Sequence, residues 1–236
     1  MFLKHYHTLL TDFDKKWTFH EPKFQYENET ASILTESAWI GHRYFAYDLV
    51  SFMKPQTVVE LGTHWGLSFF SFCQAIVDNH INAKCYAVDG WRGDVHTGQY
   101  QENVYETVNN VVQSYYDPVA ELVRKTFDEA LHQFMDNSID VLHIDGAHTY
   151  NDVSHDFYTW LPKLADNGVI LFHDIRVRHG NFGVYKLWDE LIIQYPHFEF
   201  DHSYGLGILF PKGCSVSFQE ILAHKGEMKV RYQLKG

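Results

Sequence analysis

The chain has 236 residues, of which 45% are hydrophobic, 17% aromatic and 21% charged. This composition is ordinary for one globular domain of the α/β class, and we find no apolar run of the roughly 18 residues that a membrane helix needs. The net charge of −11 disfavours nonspecific binding to nucleic acid or to anionic lipid.

The cysteines and the first residues favour a cytoplasmic protein. Cys73, Cys85 and Cys214 are widely spaced and form no CxxC pair, so we interpret them as reduced thiols rather than disulfides or zinc ligands. The opening MFLKHYHTLL has no apolar core long enough for a signal peptide. We therefore expect a cytoplasmic location.

The chain divides into an N-terminal arm (1–31), a main domain (32–212) and a C-terminal extension (213–236). A helix is predicted from near Ser32 to Pro55. Beyond it, short runs rich in β-branched residues alternate with segments of helical spacing. The predicted strands are 57–62, 84–90, 120–126, 139–145, 168–174, FEFDH and GLGILF.

This alternation predicts a parallel sheet with helices on both faces. The last two strands are separated by only two residues, Ser203 and Tyr204, too few for a crossover helix, so one of them must be antiparallel. The predicted fold is therefore α/β, a doubly wound seven-stranded mostly parallel sheet with a reversed last strand. Ligands of such sheets bind beyond the carboxyl ends of the strands.

Four predicted strands end in acids at that edge: Glu60, Asp89, Asp145 and Asp174. Packing alone does not require this pattern. Asp89 could accept both hydroxyls of a ribose, or it could simply cap the following loop. Glu60 would suit the ammonium group of an amino-acid-like ligand, or it could hold its turn in place.

In VVELGTHWG, Gly62 and Gly66 flank the turn from the first strand into a helix. Glycines there let the backbone approach a ligand closely, and a helix N-terminus attracts an anionic group. The spacing is not the GxGxxG of dinucleotide-binding folds. An ordinary tight turn is the alternative interpretation.

IDGAHTY and LFHDI place two histidines beside two of the acids. Asp145 and Asp174 with His148 and His173 could bind a divalent metal. Equally, His148 could act as a general base. The structural alternatives are that His148 caps a helix and that His173, next to Asp174 on a strand, points to the opposite face.

As a set, these motifs resemble the class I S-adenosylmethionine-dependent methyltransferases. The resemblance covers about residues 32–212 and is strongest to a bacterial branch associated with glycosyltransferases and related to sugar O-methyltransferases. It rests on VVELGTHWGLS, AVDGWRGDVHTGQY, KTFDEAL, SIDVLHIDGAHTYNDVSHDFYTWLPKL, GVILFHDIRV, FGVYKLWDEL and GLGIL.

The resemblance implies S-adenosylmethionine as the cofactor and assigns each binding residue to one part of that molecule. Asp145 would face the sulfonium, close to the transferred methyl group. The other implied cofactor contacts are Glu60, Gly62 and Gly66 under the methionine part, Asp89 at the ribose with Trp91 nearby, and Thr126 and Phe127 beside the adenine.

The related sugar O-methyltransferases bind magnesium through the fourth-strand aspartate and an acid pair after the fifth strand. Here that pair is His173–Asp174, and a histidine ligand would shift the preference toward a transition metal. We expect O-methylation of a sugar or similar acceptor, with Asp145, His148 and Asp174 converging on its hydroxyl as a base or through the metal. Candidate residues of the acceptor pocket are Trp39, His42, His96 and Tyr100.

Two other functions stay open at this point. One is a metal-dependent hydroxylase, since a cephalosporin hydroxylase group shares the fold and two histidines with a carboxylate can bind iron. The other is a non-catalytic module that binds the cofactor or a glycan and assists a partner glycosyltransferase. The aromatic-rich arm suggests, by analogy with this fold, packing on a second copy of the chain.

Overall fold

The computed structural model describes residues 17–29, 37–94 and 98–234. Within these residues, seven short apolar segments pair into one sheet. The strands are β1 (Thr57–Leu61), β2 (Lys84–Val88), β3 (Ala120–Val123), β4 (Ile139–Ile144), β5 (Leu164–His173), β6 (His197–Phe200) and β7 (Leu206–Leu209).

The strand order is β3-β2-β1-β4-β5-β7-β6. Strands β1 to β5 are parallel to one another, and β7 is antiparallel to both of its neighbours, β5 and β6. This confirms the predicted fold, including the reversed last strand. The carboxyl ends of β1 to β5 meet at one edge, and the turn between β6 and β7 lies at the same edge because β7 runs back from it.

One strand is longer than the sequence predicts. β5 begins at Leu164 rather than at Gly168, because Ile139 pairs with Leu164 before the register shifts and Val141 pairs with Val169. The irregularity lies at the amino end of the strand, far from the edge that carries the acids.

Helix α1 (Arg43–Met53) precedes the sheet. The helices between the strands are α2 (Leu67–Asp78), α3 (Glu102–Val111), α4 (Phe127–Ala130), α5 (Tyr150–Trp160) and α6 (Val184–Leu191). The first helix is shorter than predicted. A 3-10 turn, Ala38–His42, precedes α1, and residues 32–36 lie outside the described part of the chain. Helices α7 (Val216–Ala223) and α8 (Lys225–Gln233) follow the sheet.

Helices cover both faces of the sheet, because each buried strand presents apolar side chains in alternation. Val58 and Val141 face the side covered by α1, α2 and α3. Val59 and Leu142 face the side covered by α5 and α6. Glu60 also points to the first face and is fully buried there, which makes it an exception that needs a partner.

The described parts of the arm and of the C-terminal extension pack on the first of these faces. Trp17 is buried beside α1, and its indole Nε1 donates to the Tyr232 hydroxyl of α8 at 3.1 Å. Asp48 of α1 accepts a hydrogen bond from Tyr232 and lies 2.6 Å from His20 Nδ1. This buried carboxylate therefore joins both ends of the chain to one core.

No helix in residues 17–29, 37–94 or 98–234 is both long and apolar enough to cross a bilayer. The three cysteines are free thiols, and Cys73 and Cys85 are buried.

A buried acid outside the cavity predicts how stability depends on pH. Asp156 of α5 is 6% exposed, and burial raises its pKa to about 7 against the lowering charge of His155. Between about pH 4 and 7 the unfolded chain releases this proton while the folded chain keeps it, so stability falls as pH rises. We expect Asp156→Asn to be as stable as the wild type near pH 4 and up to about 4 kcal/mol more stable at pH 8.

Urea unfolding of both proteins between pH 4 and 8 measures this difference. The exposed Asp166 offers a matched control, and Asp166→Asn should run parallel to the wild type throughout. Parallel curves for Asp156→Asn would show that Asp156 is ionised in the folded protein at neutral pH.

Candidate active site

The loops that follow strands β1 to β5 enclose a cavity of about 700 Å³. Its wall also contains the 3-10 turn before α1 and Tyr204 between β6 and β7. The cavity brings together these residues predicted from sequence: Gly62, Gly66, Asp89, Thr126, Phe127, Asp145, His148, His173 and Asp174.

The loop after β1 passes very close to the end of β4. Gly62 has φ +88°, and a Cβ there would lie 2.1 Å from the carbonyl oxygen of Asp145. Gly66, with φ +85°, is the N-cap of α2. A side chain at Gly62 would collide with the residue that follows β4, and one at Gly66 would collide with the ring of Phe70. Both positions also have the left-handed backbone that glycine adopts most readily, so the fold itself favours glycine at each.

The carboxylate of Asp89 holds this loop in shape. Its Oδ2 accepts the backbone N–H groups of Thr63 (2.9 Å) and His64 (3.0 Å), and its Oδ1 accepts that of Trp91 (2.6 Å). A carboxylate has about four acceptor positions, so one remains for a ligand hydroxyl. The two roles considered for Asp89, loop cap and ribose ligand, are thus compatible.

Thr63 is a cavity residue that the sequence analysis missed. It is 3% exposed and lines the cavity, and its Oγ1 has no hydrogen-bond partner among the described residues. A buried hydroxyl without a partner is costly, and a polar ligand in the cavity would supply one. Its position in the loop between Gly62 and Gly66 is the sequence feature that could have identified it.

Glu60 and Trp91 do not line the cavity. Glu60 is fully buried, and its Oε2 lies 2.8 Å from Nδ1 of His143, its partner across the strands. Trp91 is 2% exposed and donates from Nε1 to the carbonyl of His64 at 3.1 Å. The structure therefore places both side chains behind the loop that follows β1, where they support it.

Glu60 ends a buried hydrogen-bonded chain that starts at the cavity. The indole Nε1 of Trp39, which lines the cavity, lies 3.1 Å from His143 Nε2. An indole N–H can only donate, so His143 Nε2 accepts and its proton sits on Nδ1, facing Glu60. Burial raises the pKa of Glu60, while the hydrogen bond from His143 lowers it.

The two remaining acids form a cluster with two imidazoles. His148 Nε2 lies 2.9 Å from Asp174 Oδ2 and 3.8 Å from Asp145 Oδ1. His173 Nδ1 lies 3.4 Å from Asp145 Oδ1 and 3.4 Å from Asp174 Oδ1. We refer to Asp145, His148, His173 and Asp174 as the carboxylate–imidazole cluster.

The interpretation that His173 points to the opposite face is wrong. Strand β5 ends at His173, and Asp174 adopts a left-handed conformation with φ +62°. The alternation of a strand does not continue through such a residue, so both side chains face the cavity. Left-handed backbone at a residue other than glycine is uncommon and concentrates at functional sites.

The charges within the cluster balance. Burial lowers the pKa of His148, but the hydrogen bonds and charges of Asp145 and Asp174 outweigh it and raise the pKa to about 10. The same two carboxylates raise the pKa of buried His173 to about 9. Burial opposes the ionised form of Asp145, yet the neighbouring imidazoles lower its pKa overall. Two imidazolium groups thus offset two carboxylates when nothing else is bound.

The cluster also has the donor set of a metal site. One ligand atom from each of Asp145, His148 and Asp174 lies within 4.8 Å of the others. His173 can add its Nδ1, because its Nε2 lies 3.0 Å from the carbonyl of Ser203 and must donate to it. A ligating histidine usually donates its second N–H in this way.

Two of the four residues predicted for an acceptor pocket are found to line the cavity. Trp39 and Tyr100 line the cavity, whereas His42 is fully buried behind it. His96 lies outside the described residues. The cavity wall near the cluster contains three further residues that the sequence analysis did not identify: His179, Phe182 and Tyr204.

A sequence profile described as "Methyltransferase domain" matches residues 59–175. A curated protein of Sinorhizobium fredii, described as an uncharacterized protein, is 47% identical over 174 residues. The alignment covers 74% of this chain but only 19% of that relative, so the chain spans about a fifth of the length of the relative.

Solved structures of methyltransferases have the same fold. A putative caffeoyl-CoA O-methyltransferase from Staphylococcus aureus superposes with a TM-score of 0.58 at 14% identity, covering 87% of this chain and 98% of that one. The O-methyltransferase TomG from Streptomyces achromogenes, solved with S-adenosylmethionine, superposes with a TM-score of 0.55 at 13% identity, covering 78% and 92%. At these identities the likeness concerns the fold.

The role of Asp89 can be tested by Asp89→Ala. The substitution leaves three loop N–H groups without their acceptor, so we expect a loss of about 2–4 kcal/mol in the free energy of unfolding. Binding of S-adenosylhomocysteine should weaken at least tenfold. Urea unfolding and calorimetry measure the two effects.

The exposed Asp189 of α6 is the matched control, and Asp189→Ala should leave both quantities near their wild-type values. Unchanged stability in Asp89→Ala would mean that the loop holds its shape without this carboxylate.

Proposed function

Residues 59–175 match the methyltransferase-domain family, and from this premise we propose that the chain is a class I S-adenosylmethionine-dependent methyltransferase that methylates a hydroxyl group of a sugar or glycan-type acceptor. The observation that carries the proposal is that the carboxylate–imidazole cluster and the glycine-rich loop border one cavity. The loop would bind the charged nucleoside, and the cluster would accept the proton of the hydroxyl group, so both functions would meet in the same cavity.

The loops after β1, β2 and β3 fit the cofactor. Gly62 and Gly66 have no side chains, so a ligand can approach the main chain closely there. Thr63 offers a hydroxyl group that has no hydrogen-bond partner among the described residues. Asp89 keeps one acceptor position for the ribose, and Phe127 offers an aromatic face to the adenine. Asp145 belongs to both halves of the cavity, since it ends β4 directly beside Gly62.

The acceptor would occupy the other half of the cavity. Its wall contains the aromatic side chains of Trp39, Phe182 and Tyr204. Such side chains provide apolar contact area, and Tyr204 adds a hydroxyl group, which suits a ring that carries hydroxyl groups. Tyr204 is 57% exposed and is thus available for contact with a large acceptor.

The reaction is an in-line displacement in which the acceptor oxygen attacks the methyl carbon and S-adenosylhomocysteine leaves as a neutral thioether. The bound geometry supplies much of the rate. The acceptor hydroxyl must also lose its proton. His148 is an imidazolium when nothing else is bound, so it donates hydrogen bonds and the carboxylate oxygens of Asp145 and Asp174 are the groups left to accept that proton.

Those carboxylates are weak bases, and the donor set favours a bound divalent cation. Asp145, Asp174, His148 and His173 would hold it. Such an ion lowers the pKa of a hydroxyl that it binds. Two imidazoles among the ligands favour a transition metal over magnesium. The residues would then orient the acceptor oxygen toward the sulfonium beside Asp145.

The hydroxylase alternative predicts the same donor set, so the product of the reaction separates it from methyl transfer. A further part of our proposal is that the domain acts in the cytoplasm beside a partner such as a glycosyltransferase. The Sinorhizobium fredii relative, of which the alignment covers 19%, is long enough to contain further domains beside the matched segment. A non-catalytic module would bind the cofactor without transferring its methyl group.

The proposal is tested by transfer of labelled methyl groups from S-adenosylmethionine to a panel of glycosides and nucleotide sugars, with catechol as a non-sugar comparison. We expect incorporation into a sugar hydroxyl, at least a hundredfold loss in Asp145→Asn, and loss on chelation that Mn²⁺ or Co²⁺ restores. Asp166→Asn, near the amino end of β5 and thus at the opposite end of the strand from the cavity, should retain wild-type activity.

Each result addresses a separate part of the proposal. Activity that resists chelation would remove the metal, and full activity in His148→Ala would remove that residue from the cluster chemistry. Methylation of catechol but of no sugar would contradict the acceptor class. Tight binding of the cofactor without turnover on any acceptor would favour the non-catalytic alternative.

A further inference from the structure

The turn between β6 and β7 has an unusual backbone. Ser203, Tyr204 and Gly205 are consecutive left-handed residues, with φ of 48°, 64° and 87°. Only the glycine adopts this conformation freely, and side-chain-bearing residues keep it when their surroundings over-determine it. Contacts with neighbouring residues must therefore hold this turn, residues 201–205, in its conformation.

Two imidazoles donate to the tip of the turn. His173 Nε2 lies 3.0 Å, and His42 Nε2 3.3 Å, from the carbonyl oxygen of Ser203. A carbonyl only accepts hydrogen bonds, so both nitrogens carry protons. The proton on Nε2 of His173 leaves Nδ1 as the nitrogen that faces Asp145 and Asp174.

The same tip is pressed against the 3-10 turn before α1. His202 Nε2 lies 3.0 Å from the carbonyl oxygen of Gly41. A Cβ at Gly41 would come within 2.1 Å of Ser203 Oγ and 2.9 Å of the His202 ring. Gly41 is not left-handed, so its lack of a side chain serves this contact rather than its own backbone.

We propose that the β6–β7 turn is a positioning element for His173, and that Gly41 and His42 are the positioning residues that hold it. The turn sets which nitrogen of His173 faces the cluster and the direction in which it points. Tyr204 of the same turn lines the cavity. One short segment therefore shapes the acceptor side and aligns the cluster, an inference that rests on the proposed function.

The test compares Gly41→Ala with Gly226→Ala. Both glycines lie in helical turns without positive φ, and a Cβ at Gly226 would meet no atom within 4 Å. The two variants thus receive the same side chain, with and without the steric conflict. Circular dichroism and thermal unfolding establish that each variant is folded.

The first readout does not depend on a metal or on activity. Nitrogen-15 NMR should show an Nε2–H signal of His173 that is protected from exchange in the wild type and in Gly226→Ala, and lost or shifted in Gly41→Ala. Its disappearance in His173→Asn assigns the signal. An unchanged signal in folded Gly41→Ala overturns the proposal, as does a neutral His173 that carries its proton on Nδ1.

The second readout is the affinity for Co²⁺, measured by calorimetry. We expect Gly41→Ala to weaken it at least tenfold, with the affinity for S-adenosylhomocysteine within twofold of the wild type. Tyr204→Ala should instead raise the KM for the acceptor and leave Co²⁺ binding unchanged. If Gly41→Ala does not fold, His42→Phe keeps the aromatic packing, removes one donor to Ser203, and should weaken Co²⁺ binding severalfold.

Failure of this inference and failure of the proposed function give different results. A wild type that binds no Co²⁺ contradicts the metal part of the proposed function, while the NMR signal still decides whether the turn holds the Nε2–H of His173 toward Ser203. A wild type that binds Co²⁺ and transfers methyl groups, together with a Gly41→Ala variant that matches it in both readouts, overturns the positioning role alone.

Discussion

The whole site depends on the confinement of two carboxylates. Asp145 and Asp174 end adjacent parallel strands, so the fold forces two negative charges into one poorly solvated place. Two negative charges on adjacent strands are tolerated only where positive charge or hydrogen-bond donors offset them. His148 and His173 supply that offset, and the need for it explains why imidazoles, which can either carry a proton or release it to bind a cation, occupy these positions.

The other half of the cavity is built before any ligand arrives. Asp89 holds the loop through three backbone hydrogen bonds, and Gly62 brings it against the end of β4. Behind it, Glu60 is joined through His143 to Trp39, which also lines the cavity. A ligand therefore meets a surface whose shape is already fixed, which lowers the ordering cost of binding.

The fold and the rim of acids could be predicted because they follow from local patterns. Strand–helix alternation sets the parallel order, and parallel strands bring Asp145 and Asp174 to one edge. The orientation of His173 could not be predicted, since it depends on the left-handed backbone of Asp174. The partner of Glu60 escaped prediction for another reason: His143 is 83 residues away in sequence and is adjacent only because β1 and β4 pair. Residues 1–16, 30–36, 95–97 and 235–236 contribute no structural test of the predictions.

The reversed strand gives the two halves of the cavity different freedom to change during evolution. Each loop of the cofactor half leads from a strand into a helix, so an altered length there would shift a helix and the packing beneath it. The hairpin of β6 and β7 is anchored at both ends by ladder pairs. No helix follows directly from its few connecting residues, although the Ser203 carbonyl among them accepts a hydrogen bond from His173. Exchange of the Tyr204 side chain can therefore change what fits the cavity without moving a helix, whereas a change that moves the Ser203 carbonyl would also disturb His173.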